Sequence, residues 1–212
     1  MYIPDTFRVS DAAILHALIR TYPLGSLITG GIGGLQASPI PFLLDDARGS
    51  HGTLRAHMAR ANPQLDALRG GAECLVLFQG PQGYVSPSWY PSKQQHHKVV
   101  PTWNYAMVQA RGRATVIDDA AWLRDHVAAL TLAHERRRDP AWSPDDAPAE
   151  FISHMLTAVA GIEFEIEALD GKFKLSQNRD RADRAAVLEA LVSPDDPHRN
   201  RGLSALMREL TT

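Results

Sequence analysis

Residues 162–168 alternate strictly between apolar and acidic side chains. The apolar positions are Ile162, Phe164, Ile166 and Ala168, and the acidic positions are Glu163, Glu165 and Glu167. Successive side chains of a β-strand point to opposite faces of its sheet, so this pattern predicts a strand with one buried and one solvated face. We interpret the glutamates as the solvated face. The chain is expected to form a strand-rich core surrounded by helices.

Two further strands are predicted at 24–29 and 35–44, joined by a glycine-rich stretch at 30–34. No helix follows these glycines, so a hairpin turn is favoured over a nucleotide-binding loop. Pro39 and Pro41 lack the N–H group that a sheet ladder requires. We therefore expect the second strand at a sheet edge, or where its backbone turns toward a ligand.

The stretch 54–63, LRAHMARANP, is predicted to begin as a strand and to end at the entrance of a short helix. Asn62 can cap this helix with its side-chain oxygen, and Pro63 suits the first helical position. Three side chains before the helix can donate to an anion: Arg55, His57 and Arg60. A helix N-terminus presents free N–H groups and partial positive charge, which suits a phosphate. The alternative is an ordinary strand-to-helix turn with solvated side chains.

The remaining elements follow from capping residues, apolar periodicity and the breaks in it. Helices are predicted at about 11–22, from 63, from 118 or 119 to about 134, from 148, at about 180–191 and around 203–210. Strands are predicted at 74–79 and 104–117, with a turn or bulge near Gly112 and a turn at 170–171. The proline-rich stretch 80–103 between these strands predicts a long packed loop. The predicted inner face of the 119–134 helix is Trp122, Leu123, Val127, Leu130 and His134.

The composition is that of an ordinary globular protein, with 212 residues, 44% of them hydrophobic. A protein with a net charge of −2 does not attract nucleic acid by its overall electrostatic field, so DNA binding would need a local basic patch or a partner. The single cysteine, Cys74, excludes an internal disulfide and fits a reducing compartment. No signal-peptide pattern is present and no apolar run reaches ~20 residues. We therefore expect a cytoplasmic protein.

Motifs of common active sites are absent from the sequence, which lacks GxSxG, a Walker loop, HExxH and a paired CxxC. The paired histidines at 51/57 and 96/97 have no third metal ligand nearby, which disfavours a metal site. The anion donors at 55–60, with nearby aromatic and lysine side chains, instead suit a flat aromatic ligand that carries a phosphate. These side chains are Tyr84, Trp89, Tyr90, Lys98, Trp103, Tyr105, Lys172 and Lys174. Core and loop packing explains the aromatics equally well.

Several stretches of the chain match the motifs of one known family. They are MYIP at 1–4, ASPIPFLL at 37–44, HMARANPQ at 57–64, FQGPQGYVSPSWYPSK at 78–93, VPTWNY at 100–105 and GKFKLSQNR at 171–179. Through these motifs the chain resembles the PaiB family of FMN-binding negative transcriptional regulators, from residue 1 to about residue 191. VPTWNY followed by KLSQNR is the most specific part of this resemblance.

The resemblance implies an α+β, mainly β fold: a split β-barrel like that of pyridoxamine-phosphate oxidases, with peripheral helices. It implies a single domain over 1–212 with C-terminal helices at about 180–210, and a homodimer with FMN at the subunit interface. By motif position, the resemblance assigns binding of the flavin phosphate to the side chains of His57, Arg60 and Asn62 and to the backbone of Met58 and Ala59. It assigns contact with the isoalloxazine ring to Ala37, Ser38, Pro39 and Ile40. Further cofactor-binding candidates are Lys98, Trp103, Lys174 and Gln177.

For function, the resemblance implies an FMN-binding negative regulator of transcription that senses flavin or redox state, directly or through another protein. One alternative is an FMN-dependent oxidoreductase that uses a reduced nicotinamide, because the cofactor itself supplies that chemistry. Another is a haem-binding relative with His51, His57, His96 or His97 as the axial ligand. No helix-turn-helix is recognised in the sequence, so direct DNA contact has no support from charge or motif.

Overall fold

The computed structural model describes residues 1–31 and 34–210, which contain eight strands in one antiparallel sheet. The strands are β1 Arg8–Val9, β2 Leu24–Gly31, β3 Gly34–Pro41, β4 Leu43–Asp45, β5 Thr53–Ala59, β6 Glu73–Val85, β7 Thr102–Ile117 and β8 Val159–Lys174. Their order in the sheet is β3-β2-β6-β7-β8-β5-β4, and β1 pairs with β8. The predicted class, α+β and mainly β, is confirmed.

Six of the seven helices in the described residues begin close to the predicted positions, and one, at 92–96, lies inside the predicted loop. They are α1 Ala12–Thr21, α2 Gln64–Arg69, α3 Ser92–His96, α4 Ala120–Glu135, α5 Ala149–Thr157, α6 Arg181–Ala190 and α7 Arg201–Glu209. Side-chain oxygens cap α4, α6 and α7, through Asp119, Asp180 and Asn200 respectively. Each cap satisfies an N–H group that has no partner inside its helix.

Two compact units are distinguished along the chain. Unit 1 comprises Met1–Asp11, Gln79–Val108 and Asp170–Thr212, and unit 2 comprises Ala12–Phe78 and Gln109–Leu169. The core of unit 2 includes the fully buried sheet residues Leu27, Leu54, Phe78, Ile162, Phe164 and Ile166. The core of unit 1 includes Tyr90, Phe173, Leu175, Val187, Leu191, Leu203 and Met207. The single domain over 1–212 stays a prediction.

The strand predicted from the alternation at 162–168 is confirmed within β8. In unit 2 this part of β8 pairs with β5, with Phe164 opposite Leu54 and Ile162 opposite Ala56. All four side chains are buried, so the two strands contribute the same face to the core.

Gly112 lies inside the continuous strand β7, so the turn expected there is wrong, while the bulge stays a prediction. A Cβ atom at this position would lie 2.1 Å from the carbonyl oxygen of Glu165 on β8. The glycine is required because the backbones of two strands of unit 2 approach closely at this point.

The edge position predicted for the proline-containing strand is confirmed. Within the described sheet β3 stands at one end of the order and pairs with β2, where Pro39 lies opposite Ser26 and Pro41 opposite Leu24. The strand ends at Pro41, and Leu43–Asp45 form β4, which pairs with β5. Two residues of the predicted hairpin turn, Ile32 and Gly33, lie outside the described residues.

Two other predicted breaks differ from the structure. β6 continues to Val85, and a 3-10 turn at Pro87–Trp89 and α3 then occupy part of the predicted loop. β8 also continues through the Asp170-Gly171 pair, although this dipeptide alone favours a turn. Gly171 pairs with Val9 of β1, so sheet pairing within unit 1 overrides the local preference.

None of the helices in the described part of the chain is long and apolar enough to cross a membrane. The cytoplasmic location stays a prediction.

Candidate functional site

The predicted strand-to-helix turn joins the end of β5 to α2 in unit 2. The Arg60 N–H donates to Ala158 O at 2.8 Å, and the Asn62 N–H donates to Ala59 O at 2.9 Å. Asn62 Oδ1 accepts from the Gln64 N–H at 2.9 Å and so satisfies a free N–H of the helix, as expected. Because α2 has only six residues, its dipole contributes little, and side chains must supply most of any anion binding.

The turn meets the edge strand β3 through predicted site residues. Asn62 Nδ2 donates to Ser38 Oγ at 3.2 Å. On β3, Ala37 and Pro39 are exposed, whereas Ile40 is buried. The stretches to which the resemblance assigns the flavin phosphate and the flavin ring therefore contact each other in unit 2.

Gln64 supports this arrangement although no motif singled it out. Its side chain is fully buried, and Nε2 donates to Leu27 O at 3.0 Å and to Thr29 Oγ1 at 3.1 Å. These bonds tie the first turn of α2 to β2 and hold the turn against the sheet. The sequence signal is weak, because a glutamine in a first helical turn is ordinarily solvated.

Arg60, the basic residue of the turn, already has acceptors within unit 2. Nε donates to Thr157 O at 3.1 Å, Nη2 donates to Val159 O at 2.8 Å, and Nη1 donates to Asp118. Hydrogen bonds from Arg60 and Arg69 hold the pKa of the Asp118 carboxyl below its usual range. A phosphate that used Arg60 would therefore compete with Asp118.

A cavity of about 570 Å³ opens beside this ion pair. Arg60 and Arg124 form part of its polar lining, and Leu123 and Leu156 are among its apolar residues. Its volume falls within the range of small-molecule sites. The arrangement offers an anion-binding edge next to an apolar wall.

His57 faces a buried histidine, His126 of α4, which was not among the predicted inner-face residues. His57 Nδ1 and His126 Nε2 lie 3.2 Å apart. His126 is fully buried, whereas His134 is exposed, so the predicted face is wrong at those two positions. Trp122 and His126 are four residues apart and therefore share a helix face, which is the sequence signal that identifies His126.

Both imidazoles are neutral near neutral pH. Burial lowers the pKa of His57 below its usual value. Burial lowers the pKa of His126 to about 3, and the nearby His57 and Arg55 add to this effect. The pair can therefore exchange a hydrogen bond without carrying charge.

Aromatic and charged side chains of unit 2 hold His126 in place. Trp122 stacks on His126 with ring centroids 5.1 Å apart, and the Arg55 guanidinium lies 4.7 Å from the Trp122 ring centroid. Trp122 Nε1 donates to Glu163 Oε1 at 3.2 Å. Arg48 donates to both oxygens of Glu163 and lowers the pKa of this carboxyl. The prediction of a freely solvated glutamate is thus wrong at Glu163, while the other two glutamates of the strand are exposed.

The other four predicted cofactor residues lie in unit 1. Lys98 is exposed in the segment between α3 and β7, and Trp103 is 55% exposed on β7. Lys174 Nζ donates to Thr102 Oγ1 and to Trp103 O, both at 2.6 Å. Burial, followed by the nearby positive charges, lowers the pKa of Lys174.

Gln177 is used by its own turn. Its Oε1 accepts from the Leu175 N–H at 2.6 Å, and its Nε2 donates to Phe173 O. Close by, Asn104 Nδ2 donates to the buried Ser176 Oγ at 2.8 Å. The motifs VPTWNY and KLSQNR therefore pack against each other and form one local structure in unit 1.

A second cavity, of about 470 Å³, lies within unit 1 and is lined in part by Tyr2, Trp103, Tyr105 and Lys172. Lys172 Nζ is 5.8 Å from the Tyr2 ring centroid and 5.6 Å from the Tyr105 ring centroid. Aromatic side chains around one cation suit a planar ligand with negative charge.

The described residues contain no group of three or more His, Cys, Asp or Glu side chains that could hold a metal ion. Among the histidines considered as haem ligands, His96 and His97 are exposed, and His57 Nδ1 is within hydrogen-bond distance of His126.

Sequence comparisons find relatives that cover most of the chain. The family model described as "Putative FMN-binding domain" matches residues 1–168. Uncharacterized protein AN0679 of Emericella nidulans is 36% identical, over 89% of this chain and 89% of that protein. Protease synthase and sporulation protein PAI 2 of Bacillus subtilis is 29% identical, over 93% of this chain and 92% of that protein.

Solved structures share the fold. The FAD and heme binding protein from Mycobacterium smegmatis aligns with a TM-score of 0.57 and 21% identity, over 84% of this chain and 78% of that chain. The flavocytochrome Anf3 from Azotobacter vinelandii aligns with a TM-score of 0.58 and 18% identity, over 84% of this chain and 75% of that chain. The predicted split-barrel fold is confirmed by this likeness.

Proposed function

Because this chain belongs to the family of FMN-binding domains that its PaiB motifs indicate, we propose that it binds FMN and acts as a negative regulator of transcription. The single observation that carries the flavin site is the hydrogen bond between Asn62 and Ser38. It joins the stretch proposed for the phosphate to the strand proposed for the ring, so one ligand can contact both.

The donors in this region fit a phosphate ester. His57 is half-buried, and its Nε2 has no hydrogen-bond partner among the described residues. Asn62 Nδ2 gives one N–H to Ser38 and retains a second. Arg60 carries a positive charge that a phosphate can use when the ion pair between Arg60 and Asp118 breaks. We propose that His57, Arg60 and Asn62 hold the phosphate, with backbone from Met58 and Ala59.

The edge strand fits a flat ring. Ala37 and Pro39 are exposed and have compact side chains. Pro39 also has no backbone N–H that would face the ring. We propose that the isoalloxazine lies along 37–40. When bound, FMN would supply reversible redox chemistry, and the residues of the chain would bind and orient it and limit its contact with water.

The test uses Asn62→Asp, which keeps the oxygen that caps α2 but replaces a phosphate donor by a negative charge. We expect the Kd for FMN to rise by about tenfold to a hundredfold, because a charge-assisted bond is lost and repulsion is added. Riboflavin, which lacks the phosphate, should bind the variant and the wild type equally. Both Kd values are measured by quenching of flavin fluorescence, and the Tm confirms that the cap is retained.

Gln94→Glu is the matched control, because it makes the same change of charge at an exposed position of α3. It should leave the Kd for FMN unchanged. An Asn62→Asp protein that binds FMN as tightly as the wild type would contradict the phosphate assignment. A wild-type protein that retains no flavin through desalting would contradict FMN binding itself.

The proposed oligomer is a homodimer with FMN at the subunit interface. Its support is the resemblance to a family whose fold usually pairs in this way. Light scattering should give a mass twice the 23.3 kDa of one chain. A monomer that still retains FMN would overturn the interface location.

The regulatory role is tested with fragments of genomic DNA, because the net charge of −2 gives no reason to expect non-specific binding. Specific, salt-sensitive retention of a few fragments by the FMN-loaded protein would support direct repression. No retention by either the FMN-loaded or the flavin-free protein would contradict it and favour action through another protein.

A second candidate function is that of an oxidoreductase that uses a reduced nicotinamide. The observation that favours it is the unit 1 cavity, where Trp103 and Tyr105 offer stacking surfaces and Lys172 offers a partner for a phosphate. Rapid anaerobic bleaching of bound FMN by NADH or NADPH, slowed in Lys172→Met but not in the exposed Lys93→Met, would support it. Absence of bleaching would exclude this function.

A further inference from the structure

We propose that His126 is a positioning residue that fixes His57 in the tautomer with its proton on Nε2, so that neutral His57 donates a hydrogen bond to the bound anion. The identity of that anion as the flavin phosphate rests on the proposed function. The tautomer itself follows from the geometry of the two imidazoles.

The two imidazoles share one hydrogen bond between His57 Nδ1 and His126 Nε2, which are 3.2 Å apart. In a neutral pair, one nitrogen carries the proton and the other accepts it. Either His57 donates from Nδ1, which leaves its Nε2 bare, or His126 donates from Nε2, which leaves the His57 proton on Nε2. The second nitrogen of His126 decides between these arrangements.

His126 Nδ1 is buried and has no hydrogen-bond partner among the residues that the structure describes. If His57 donated, the His126 proton would sit on Nδ1 and form an orphaned buried N–H, which native structures rarely contain. If His126 donates, its proton is bonded and Nδ1 is a bare lone pair. The positive charge of nearby Arg55 also favours an unprotonated nitrogen. The second arrangement is therefore the stable one.

The same geometry opposes protonation of His57. An added proton on Nδ1 would face the N–H of His126, and moving the His126 proton to Nδ1 would recreate the orphaned donor. Burial lowers the pKa of both rings in the same direction.

The charged groups around the two imidazoles do not oppose this arrangement of protons. Arg55 of β5 is positive and lies over Trp122, and Glu163 of β8 is bonded to Arg48 from the loop before β5. His57 itself is opposite Gly161, which contributes no charge. Arg55 disfavours an imidazolium, and the negative charge of Glu163, which alone would favour one, is offset by its ion pair with Arg48.

The consequence is an anion donor that works without titrating. A solvated histidine donates from both nitrogens only below its usual pKa, so its attraction for a phosphate fades between about pH 6 and pH 8. His57, held with a proton on Nε2, keeps the same donor across this range.

The experiment is two-dimensional ¹⁵N–¹H NMR of the imidazole nitrogens in the flavin-free protein between pH 5.5 and pH 8. We expect the His57 shifts of a neutral ring with a protonated Nε2 and a bare Nδ1, with little change across the range. A proton on His57 Nδ1, or an ordinary titration near pH 6.5, would overturn the inference.

Two variants separate positioning from packing. His126→Gln retains an N–H donor close to the position of Nε2 and should preserve the His57 tautomer. His126→Phe retains an aromatic ring against Trp122 but removes the donor, and should let His57 titrate. A His57 spectrum that is identical in wild type and His126→Phe would overturn the role of His126.

Added FMN then tests the anion separately. We expect the His57 Nε2 proton to shift with FMN and not with riboflavin. In His126→Phe, the affinity for FMN relative to wild type should rise as the pH falls from 8 to 5.5. If FMN binds without moving the Nε2 signal, the phosphate role of His57 in the proposed function is overturned, and the flavin-free spectrum still decides the tautomer.

Discussion

Replacing Asp118 by asparagine is expected to strengthen FMN binding, because Asp118 competes with a phosphate for Arg60. Arg60 Nη1 donates to this carboxylate, and Arg69 Nη2 donates to it at 3.1 Å. The side chains of Arg60 and Asp118 are 39% and 51% exposed, so water already screens the pair. Exposed pairs of this kind are weak, and we expect the Kd for FMN to fall by only about two- to fivefold, with little change in Tm.

Arg60→Ala should act in the opposite direction and more strongly. A phosphate would lose a charge-assisted hydrogen bond, which corresponds to a rise in Kd of about tenfold to a hundredfold. The carbonyls of Thr157 and Val159, to which Arg60 donates, lie at the surface and can bond to water instead. Fluorescence titration with FMN, and in parallel with riboflavin, measures the phosphate contribution alone.

Asp46→Asn is the control for Asp118→Asn, because Asp46 is also exposed and pairs with an arginine outside the cavity, Arg20, at 2.6 Å. It should leave the Kd for FMN unchanged. If neither Asp118→Asn nor Arg60→Ala changes the ratio of the FMN and riboflavin affinities, Arg60 only braces the turn and the competition argument is refuted.

Three further predictions concern stability. Gly112→Ala should lower the free energy of unfolding by about 3 kcal/mol or more, because its Cβ would overlap the carbonyl oxygen of Glu165. Gly30→Ala is the control, because its Cβ has no neighbour closer than 4.0 Å. Equal urea midpoints for the two variants would contradict the reasoning. The pKa of His126 is about 3 in the folded chain against 6.5 ordinarily, so the unfolded chain binds the proton more readily and the free energy of unfolding should fall by about 2 kcal/mol from pH 8 to pH 5. In urea titrations, the free energy of unfolding of His126→Phe should fall less between pH 8 and pH 5 than that of the wild type. The same pH dependence in both proteins would contradict this prediction. Asp119→Ala removes the cap of α4 and should cost about 1 kcal/mol in a thermal melt, whereas Asp119→Ser should restore most of it.

Much of the local structure could be predicted from residues that are close together in sequence. The alternation at 162–168 identified the central part of β8, and the prolines of β3 identified an edge strand. The Asn62 cap also holds, because an N-cap depends on a side chain and an N–H group two residues away. These features are determined within a few residues, and a sequence displays them directly.

Other features depend on partners that are distant along the chain. The Asp170-Gly171 pair favours a turn, yet pairing with β1 keeps it in β8. Glu163 alternates like its exposed neighbours, yet it is bonded to Arg48, 115 residues away in sequence. Local preferences are worth little energy compared with a completed sheet ladder, so they yield wherever tertiary contacts oppose them. Alternation along a strand states which face a side chain occupies, but not which distant charge it meets there.

The candidate site divides in the same way. The sequence by itself determined the chemical character of the turn, with His57, Arg60 and Asn62 beside a helix entrance, and the family to which it belongs. Only the tertiary structure decided what each donor faces: Asn62 meets Ser38, Arg60 meets Asp118, and His57 meets the buried His126. A residue type states which bonds a side chain can form, whereas the packing of distant segments decides which of those bonds are already made and which remain for a ligand.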